Sequence, residues 1–242
     1  MKHFGLIGYP LGHSCSAEYF NAKFAREGID ADYVLTEIAD IGQMPTATNR
    51  LCGFNVTIPY KKAVIPYLAH LSEEAATIGA VNCVRRERDG SLTGFNTDVE
   101  GIRATLAQCG DLTGVRAIIL GSGGAAAAVR YVLHELGIVY ITVSRERGRG
   151  DLTYADLTAE VVATHRLIIN ATPVGMSPAV ENAPALPYDA LTPHHTLFDL
   201  IYNPAQTRFL ALGTERGART VGGHEMFVRQ AEASWRVWNT ED

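Results

Sequence analysis

Gly121-Ser122-Gly123-Gly124-Ala125-Ala126 stands between an apolar run, Ala117 to Leu120, and an alanine-rich one, Ala125 to Leu136. It fits the pattern G-x-G-x-x-A, and each position has a physical job when such a turn joins a strand to a helix. Gly121 permits the tight turn, Gly123 lets a pyrophosphate approach the backbone, and Ala126 allows the helix to pack closely on the strand. The N–H groups of Ser122, Gly123, Gly124 and Ala125 at the helix start then face the phosphates, with the helix dipole behind them. A ligand-free strand–helix turn uses the same glycines; the flanking elements favour a dinucleotide.

The next apolar run, Tyr140 to Ser144, leads into Ser144-Arg145-Glu146-Arg147. An acid at its tip would accept a hydrogen bond from the ribose 2′-hydroxyl of NAD. Ser144 and Arg145 stand there instead, and a guanidinium pairs bidentately with a 2′-phosphate, which points to NADP. Glu146 can also neutralise its neighbours in a solvated loop. Cys15, Cys52, Cys83 and Cys109 form no C-x-x-C pair, so neither zinc nor a disulfide framework is expected. The eight histidines do not cluster. His13 and His224 sit beside glycine turns where either can line a cleft, His194 and His195 sit in a polar loop, and no metal site is expected.

The elements that would carry these residues change character along the chain. Strands are expected over Phe4–Ile7, Ala31–Glu37 and Gly53–Ile58, with helices over Ala17–Glu27, Ala63–Leu71 and Glu73–Ile78. Ser16 can cap the first helix. Ala80–Glu87 and Ser91–Asn96 read as two strands joined at Asp89-Gly90. After a helix over Val99–Gln108, strands at 117–120, 140–144, 167–170 and 197–200 alternate with helical or loop segments, which implies a parallel sheet with right-handed crossovers. Pro173 to Pro193 reads as a loop. A long helix, Gly223–Trp238, ends the pattern and is expected to return to the first domain.

Bulk properties agree with a soluble protein of two small domains. The chain has 242 residues, 47% of them hydrophobic and 19% charged, with a net charge of −5. No sequence-independent attraction to nucleic acid or anionic membrane follows from that charge. The N-terminal apolar stretch is too short for a signal peptide, and no run reaches the roughly 20 apolar residues of a membrane span. A soluble cytoplasmic protein is expected.

Beyond these signals, eight segments in order resemble the shikimate dehydrogenase family over nearly the whole length. They are GYPLGHSCS (8–16), FNVTIPYK (54–61), GAVNCV (79–84), FNTDVEG (95–101), LGSGGAAAA (120–128), NATPVGM (170–176), DLIYNP (199–204) and GGHEMFVRQA (222–231). The resemblance implies an α/β protein of two domains with a cleft between them. A Rossmann-type, doubly wound parallel sheet over 99–222 would hold NADP, and residues 1–98 with 223–242 would bind substrate. The reaction implied is reversible, NADPH-dependent reduction of 3-dehydroshikimate to shikimate, by a monomer or homodimer.

Residue by residue, the resemblance assigns Lys61 and Asp98 as the catalytic pair. Ketone reduction needs a proton donor at the carbonyl oxygen while hydride arrives from the nicotinamide. Asp98 would orient the ammonium, and its position also suits a helix cap. Ser14 and Ser16 match two hydroxyls that hold the substrate carboxylate. Thr57, Asn82 and Gln230 match groups on the ring hydroxyls and carbonyl, and Tyr202 one that reaches toward the carboxylate. Thr57 and Asn82 also suit plain turn or strand polarity. On the cofactor side Asn170, Thr172 and Leu200 match positions at the nicotinamide and its ribose. Gly223 matches a backbone position by the nicotinamide amide, and Arg145 the arginine of an Asn-Arg-Thr-like segment. The chain departs from the family pattern at Ala17, usually proline, and at Ser144 and Glu146 around that arginine. Two other readings use the same scaffold: an NAD-linked quinate/shikimate dehydrogenase and a non-catalytic NADP sensor. An acid at the tip of the second strand would have favoured the first, and loss of the Lys–Asp or serine pair the second.

Overall fold

The structure, a computed structural model, describes residues 1–12 and 14–240. The chain divides into two compact units, Met1–Thr97 together with Gln230–Asp242, and Asp98–Arg229.

In the first unit a six-stranded mixed sheet is built from β1 (Lys2–Gly8), β2 (Ala31–Glu37), β3 (Gly53–Val56), β4 (His70–Leu71), β5 (Cys83–Arg86) and β6 (Leu92–Phe95), ordered β2-β1-β3-β5-β6-β4. β1 pairs in parallel with β2 and β3, whereas β3–β5 and β5–β6 are antiparallel. Helices α1 (Ser16–Glu27), α2 (Met44–Ala47) and α3 (Glu73–Ile78) accompany it. Two cores flank the sheet. One gathers Ile7, Phe54, Val56, Tyr60, Val64 and Val84. The other is aromatic and joins Phe4, Phe20, Phe24 and Tyr33 to Ala231 and Trp238 of the last helix. Fully burying each such side chain contributes roughly 1.5–3 kcal/mol.

The second unit runs α4 (Asp98–Ala107), β7 (Arg116–Leu120), α5 (Gly124–Glu135), β8 (Val139–Ser144), β9 (Leu152–Thr153), α6 (Ala159–Thr164), β10 (Leu167–Asn170), β11 (Thr196–Asp199), α7 (Arg208–Glu215) and β12 (Arg219–Val221), and then enters α8 (His224–Asn239). Every strand pair is parallel, in the order β12-β11-β10-β7-β8-β9. The chain winds outward from β7 through β8 to β9, then returns to the other side of β7 with β10. That reversal is the topological switch of a doubly wound sheet, where ligands bind outside the carboxyl ends of the strands. Leu120 and Asn170, the last residues of β7 and β10, sit opposite one another across it.

Four expectations need correction. Ala63–Leu71 is not a helix: it holds a 3₁₀ turn at Ile65–Tyr67 and the two-residue β4. Pro66 lacks an N–H and keeps the residue before it out of the α region, so a continuous helix cannot form there. Ser16 does not cap α1; Cys15 occupies that position and Ser16 is the first helical residue. The second unit begins with Asp98, one residue before the position expected. Finally, the chain passes back to the first unit after Arg229, inside α8, rather than at Gly223. The first turn of α8 belongs with the second unit because the Tyr202 ring lies 4.4 Å from that of Phe227. Among the described residues no helix is long and apolar enough to cross a membrane.

Candidate functional site

The glycine turn sits at the switch point. Gly121 adopts φ +111°, open to glycine but not readily to other residues, and donates its N–H to the Val143 carbonyl at 2.8 Å. Behind it Ala126 and Ala128 are fully buried, which brings α5 onto the sheet. Gly123 ends the turn in extended conformation, with φ −78° and ψ −168°, and a Cβ there would meet no protein atom within 4 Å. Packing within the protein therefore does not require a glycine; the open space in front of its backbone does the work that a phosphate needs. Ser122, Gly124 and Ala125 complete the helix start, and the first turn of α5 carries no acid to compete with an anion.

The tip of β8 lies beside that turn, with the Ser144 and Ser122 hydroxyl oxygens 3.4 Å apart. Ser144 Oγ also accepts the Glu146 N–H at 3.3 Å. Glu146 does neutralise a neighbour, but that neighbour is Arg149, at 3.2 Å. Arg147 reaches Asp156 at 4.0 Å. Among the described residues no carboxylate is paired with Arg145. The donor set of helix N–H groups, two hydroxyls and an uncommitted guanidinium fits a dinucleotide bearing an extra phosphate.

On the other flank of the switch point, Asn170, Thr172, Leu200 and Gly223 come together at the ends of β10 and β11. Asn170 is fully buried; its Oδ1 accepts from the Thr172 N–H at 3.1 Å and hydroxyl at 2.6 Å. Leu200 donates its N–H to the Asn170 carbonyl at 3.1 Å, and Gly223 donates to the Ile201 carbonyl at 3.1 Å. A Cβ on Gly223 would overlap the Leu200 carbonyl carbon at 2.7 Å, so only glycine fits this approach. Thr172 in turn leans on Gly121: its methyl carbon would lie 3.0 Å from a Cβ placed there. Two residues not anticipated from sequence complete this cluster, the buried Asp199 and Thr207.

In the first unit most substrate-side residues lie at one end of the sheet, past the last residues of β1 and β3 and just before β5. The loop after β1 and the turn after β3 run side by side, with Tyr9 donating to the Ile58 carbonyl at 3.0 Å. The first carries Ser14 and Ser16, the second Thr57 and Lys61. Ser14 Oγ accepts the Ser16 N–H at 3.3 Å, and Ser16 is buried. The Leu11 N–H, donated to Glu37 at 2.6 Å, ties this loop to β2. The Lys61 carbonyl accepts the Val81 N–H at 2.7 Å, which pins the turn to the segment leading into β5. Asn82, in that segment, is the hub of a buried network. Its Oδ1 accepts the Thr97 N–H at 2.7 Å, and its amide nitrogen donates to Thr97 Oγ1 at 3.0 Å and to Gln230 at 3.4 Å. Thr97 meets Ser234 at 3.0 Å, Ser234 accepts from Asn55 at 2.8 Å, and Asn55 accepts from Tyr33 at 2.8 Å. The residues that support Asn82 and Gln230 are not among those expected from sequence; Asn55, inside the NVT motif, was the available signal.

Asp98 and Tyr202 belong to the second unit. Asp98 is buried as the first residue of α4, and Tyr202 packs on Phe227. His224 opens α8, His195 is buried and bonded to Thr192 and to the Val162 carbonyl, and His13 lies outside the described residues. No group of three or more His, Cys, Asp or Glu side chains suited to a metal occurs among the described residues.

Residues 6–84 match the family model described as the shikimate dehydrogenase substrate binding domain. The chain is 38% identical over 255 residues to the shikimate dehydrogenase (NADP(+)) of Syntrophomonas wolfei, covering 96% of this chain and 88% of that protein. Its structure is similar to that of shikimate dehydrogenase 1 from Peptoclostridium difficile, with 34% identity and a TM-score of 0.87 over 100% of this chain and 94% of the other. It is also similar to shikimate 5-dehydrogenase of Thermus thermophilus in complex with NADP(H) and shikimate, with 30% identity and a TM-score of 0.86 over 99% of this chain and 94% of that one.

Proposed function

Because the chain belongs to the shikimate dehydrogenase family, we propose that its own residues run the family's reaction, the reversible NADPH-dependent reduction of 3-dehydroshikimate to shikimate in aromatic biosynthesis. The protein is an NADP-dependent oxidoreductase. The single observation that carries the reading is the turn at the switch point, where Gly123 faces open space beside an Arg145 that, among the described residues, no carboxylate engages.

Bound NADPH supplies the hydride. The chain supplies orientation and the proton. Lys61 donates a proton to the ketone oxygen as negative charge develops there, and recovers one in the reverse direction. Asp98 orients that ammonium. Ser14 and Ser16 hold the substrate carboxylate through neutral donors, with Tyr202 reaching the same group. Asn82, held by Thr97, and Gln230 fix the ring hydroxyls together with Thr57. Around the cofactor, Ser122, Gly124 and Ala125 offer N–H groups to the pyrophosphate, and Arg145 with Ser144 takes the 2′-phosphate. Asn170, Thr172, Leu200 and Gly223 seat the nicotinamide end. We further infer a cytoplasmic setting, supported by four cysteines that are all unbridged, and a monomeric or homodimeric state.

Initial rates with shikimate and quinate, each with NADP⁺ and NAD⁺, test this reading. Shikimate with NADP⁺ is expected to be the fastest of the four; faster quinate turnover, or no turnover at all, overturns it. In the same assay Arg145→Ala is expected to lower the preference for NADP⁺ over NAD⁺ by about 10- to 100-fold, the scale of one charge-assisted contact. An unchanged preference would mean that the 2′-phosphate is held elsewhere.

A further inference from the structure

We propose that Asp199, a buried carboxylate at the end of β11, is a positioning residue for the nicotinamide end of the cofactor site, acting through the amide of Asn170. The inference rests on the reading of Asn170 and Thr172 as cofactor-facing residues.

Asp199 has no exposed surface, and among the described residues no cation is paired with it. Burial pushes its carboxyl up to about 6, even though hydrogen bonds from Thr207, Ile201 and Asn170 favour the ionised form. A buried carboxylate held only by neutral donors is costly. The geometry shows what this one does. All three neighbours donate: the Thr207 hydroxyl to Oδ2 at 2.6 Å, and the Ile201 N–H and the Asn170 amide nitrogen to Oδ1, each at 3.0 Å.

An ionised carboxylate can only accept, so it admits one of the two ways of turning the Asn170 amide. The nitrogen must face Asp199, where it also reaches the Val174 carbonyl at 3.3 Å. Oδ1 is thereby directed to Thr172, whose hydroxyl donates to it and accepts the Val174 N–H at 3.2 Å. Thr172 then presents its methyl group to Gly121. Without an acceptor held at the Oδ1 position by the Ile201 N–H, either amide orientation could be accommodated, and the turn after β10 would lose its single arrangement. One chain of contacts, Thr207–Asp199–Asn170–Thr172–Gly121, thus connects the ends of β11, β10 and β7.

The test is steady-state kinetics and thermal melting of the full chain. Asp199→Ser keeps an acceptor within reach of the Ile201 N–H but gives up Asn170. It should raise KM for NADPH by about 10-fold or more and leave KM for 3-dehydroshikimate within about 2-fold. Asp199→Asn, whose oxygen can replace Oδ1 while its nitrogen donates to Thr207, should recover most of that loss. Phe209→Leu, a buried change in α7, should lower the melting temperature without moving KM for NADPH. If Asp199→Ser does not fold, Asp199→Leu, which leaves no charge to bury, takes its place with the same expectation. A melting temperature lowered by Asp199→Ser with KM for NADPH unmoved makes the residue merely structural and overturns the proposal. An Asn170→Ala variant with normal KM for NADPH removes the cofactor reading itself; a raised value there beside a normal one in Asp199→Ser removes only the role of Asp199.

Discussion

Lys61→Ala is expected to lower kcat by roughly 10²- to 10⁴-fold, the range of one positioned general acid, while NADPH binds with unchanged affinity. The fold should survive the substitution. The carbonyl of position 61 accepts the Val81 N–H at 2.7 Å, a bond that alanine keeps. Its turn is further held by the Tyr60 N–H on the Thr57 carbonyl at 2.8 Å and by the Tyr60 hydroxyl on the Ile38 carbonyl at 2.7 Å. Lys61→Arg should not restore turnover, since a guanidinium does not release its proton near neutral pH. Steady-state reduction of 3-dehydroshikimate, with NADPH binding followed separately by fluorescence, checks both halves. A kcat within about 3-fold of the parent would take proton transfer away from this residue.

Gly123→Val should weaken NADPH binding by at least ~100-fold and leave the fold standing. The backbone there is extended and accepts any residue, and the added Cβ meets nothing of the protein within 4 Å. A branched side chain at the cap position costs about 0.5–2 kcal/mol of helix stability, a small loss for a unit of this size. The volume it fills is the volume that the pyrophosphate would occupy. Binding by fluorescence titration and melting by circular dichroism separate the effects. Normal affinity in a folded variant would place the dinucleotide elsewhere. Gly223 makes the useful contrast: a Cβ there strikes the Leu200 backbone, so a substitution at that position disturbs structure before it disturbs binding.

Local signals carried far in this chain where pattern and packing agree. β2 at Ala31–Glu37, α3 at Glu73–Ile78 and β10 at Leu167–Asn170 have the bounds that periodicity and punctuation predict. They failed where a local signal was overridden or faint. Pro66 interrupts an apolar stretch that otherwise looks helical. α6 and α7 went unseen; the latter is only eight residues long, begins at the Thr207 cap, and is held to the sheet through Phe209 and Leu210 rather than by a long repeat. The glycine turn was legible because its chemistry is written in consecutive residues. Asp199 and the Tyr33–Asn55–Ser234–Thr97 network were not, since their partners are brought together only by strand order and by the return of α8. Cap assignments suffered similarly: Ser16 and Cys15 differ by one position, which sequence alone does not resolve.

The route of the chain through its two units also sets an order of events during synthesis. All of Asp98–Arg229 is made before Gln230 is added, so the parallel sheet comes from one contiguous stretch of chain. The earlier strands cannot finish. Trp238 stacks on Phe4 at 4.9 Å and donates its indole N–H to the Val84 carbonyl at 3.0 Å, filling an aromatic core whose Phe4, Phe20, Phe24 and Tyr33 lie among the first residues made. Until Ala231 to Trp238 arrive, Phe4, Phe20 and Tyr33 remain partly uncovered, so the first unit completes its core late even though its strands are made first.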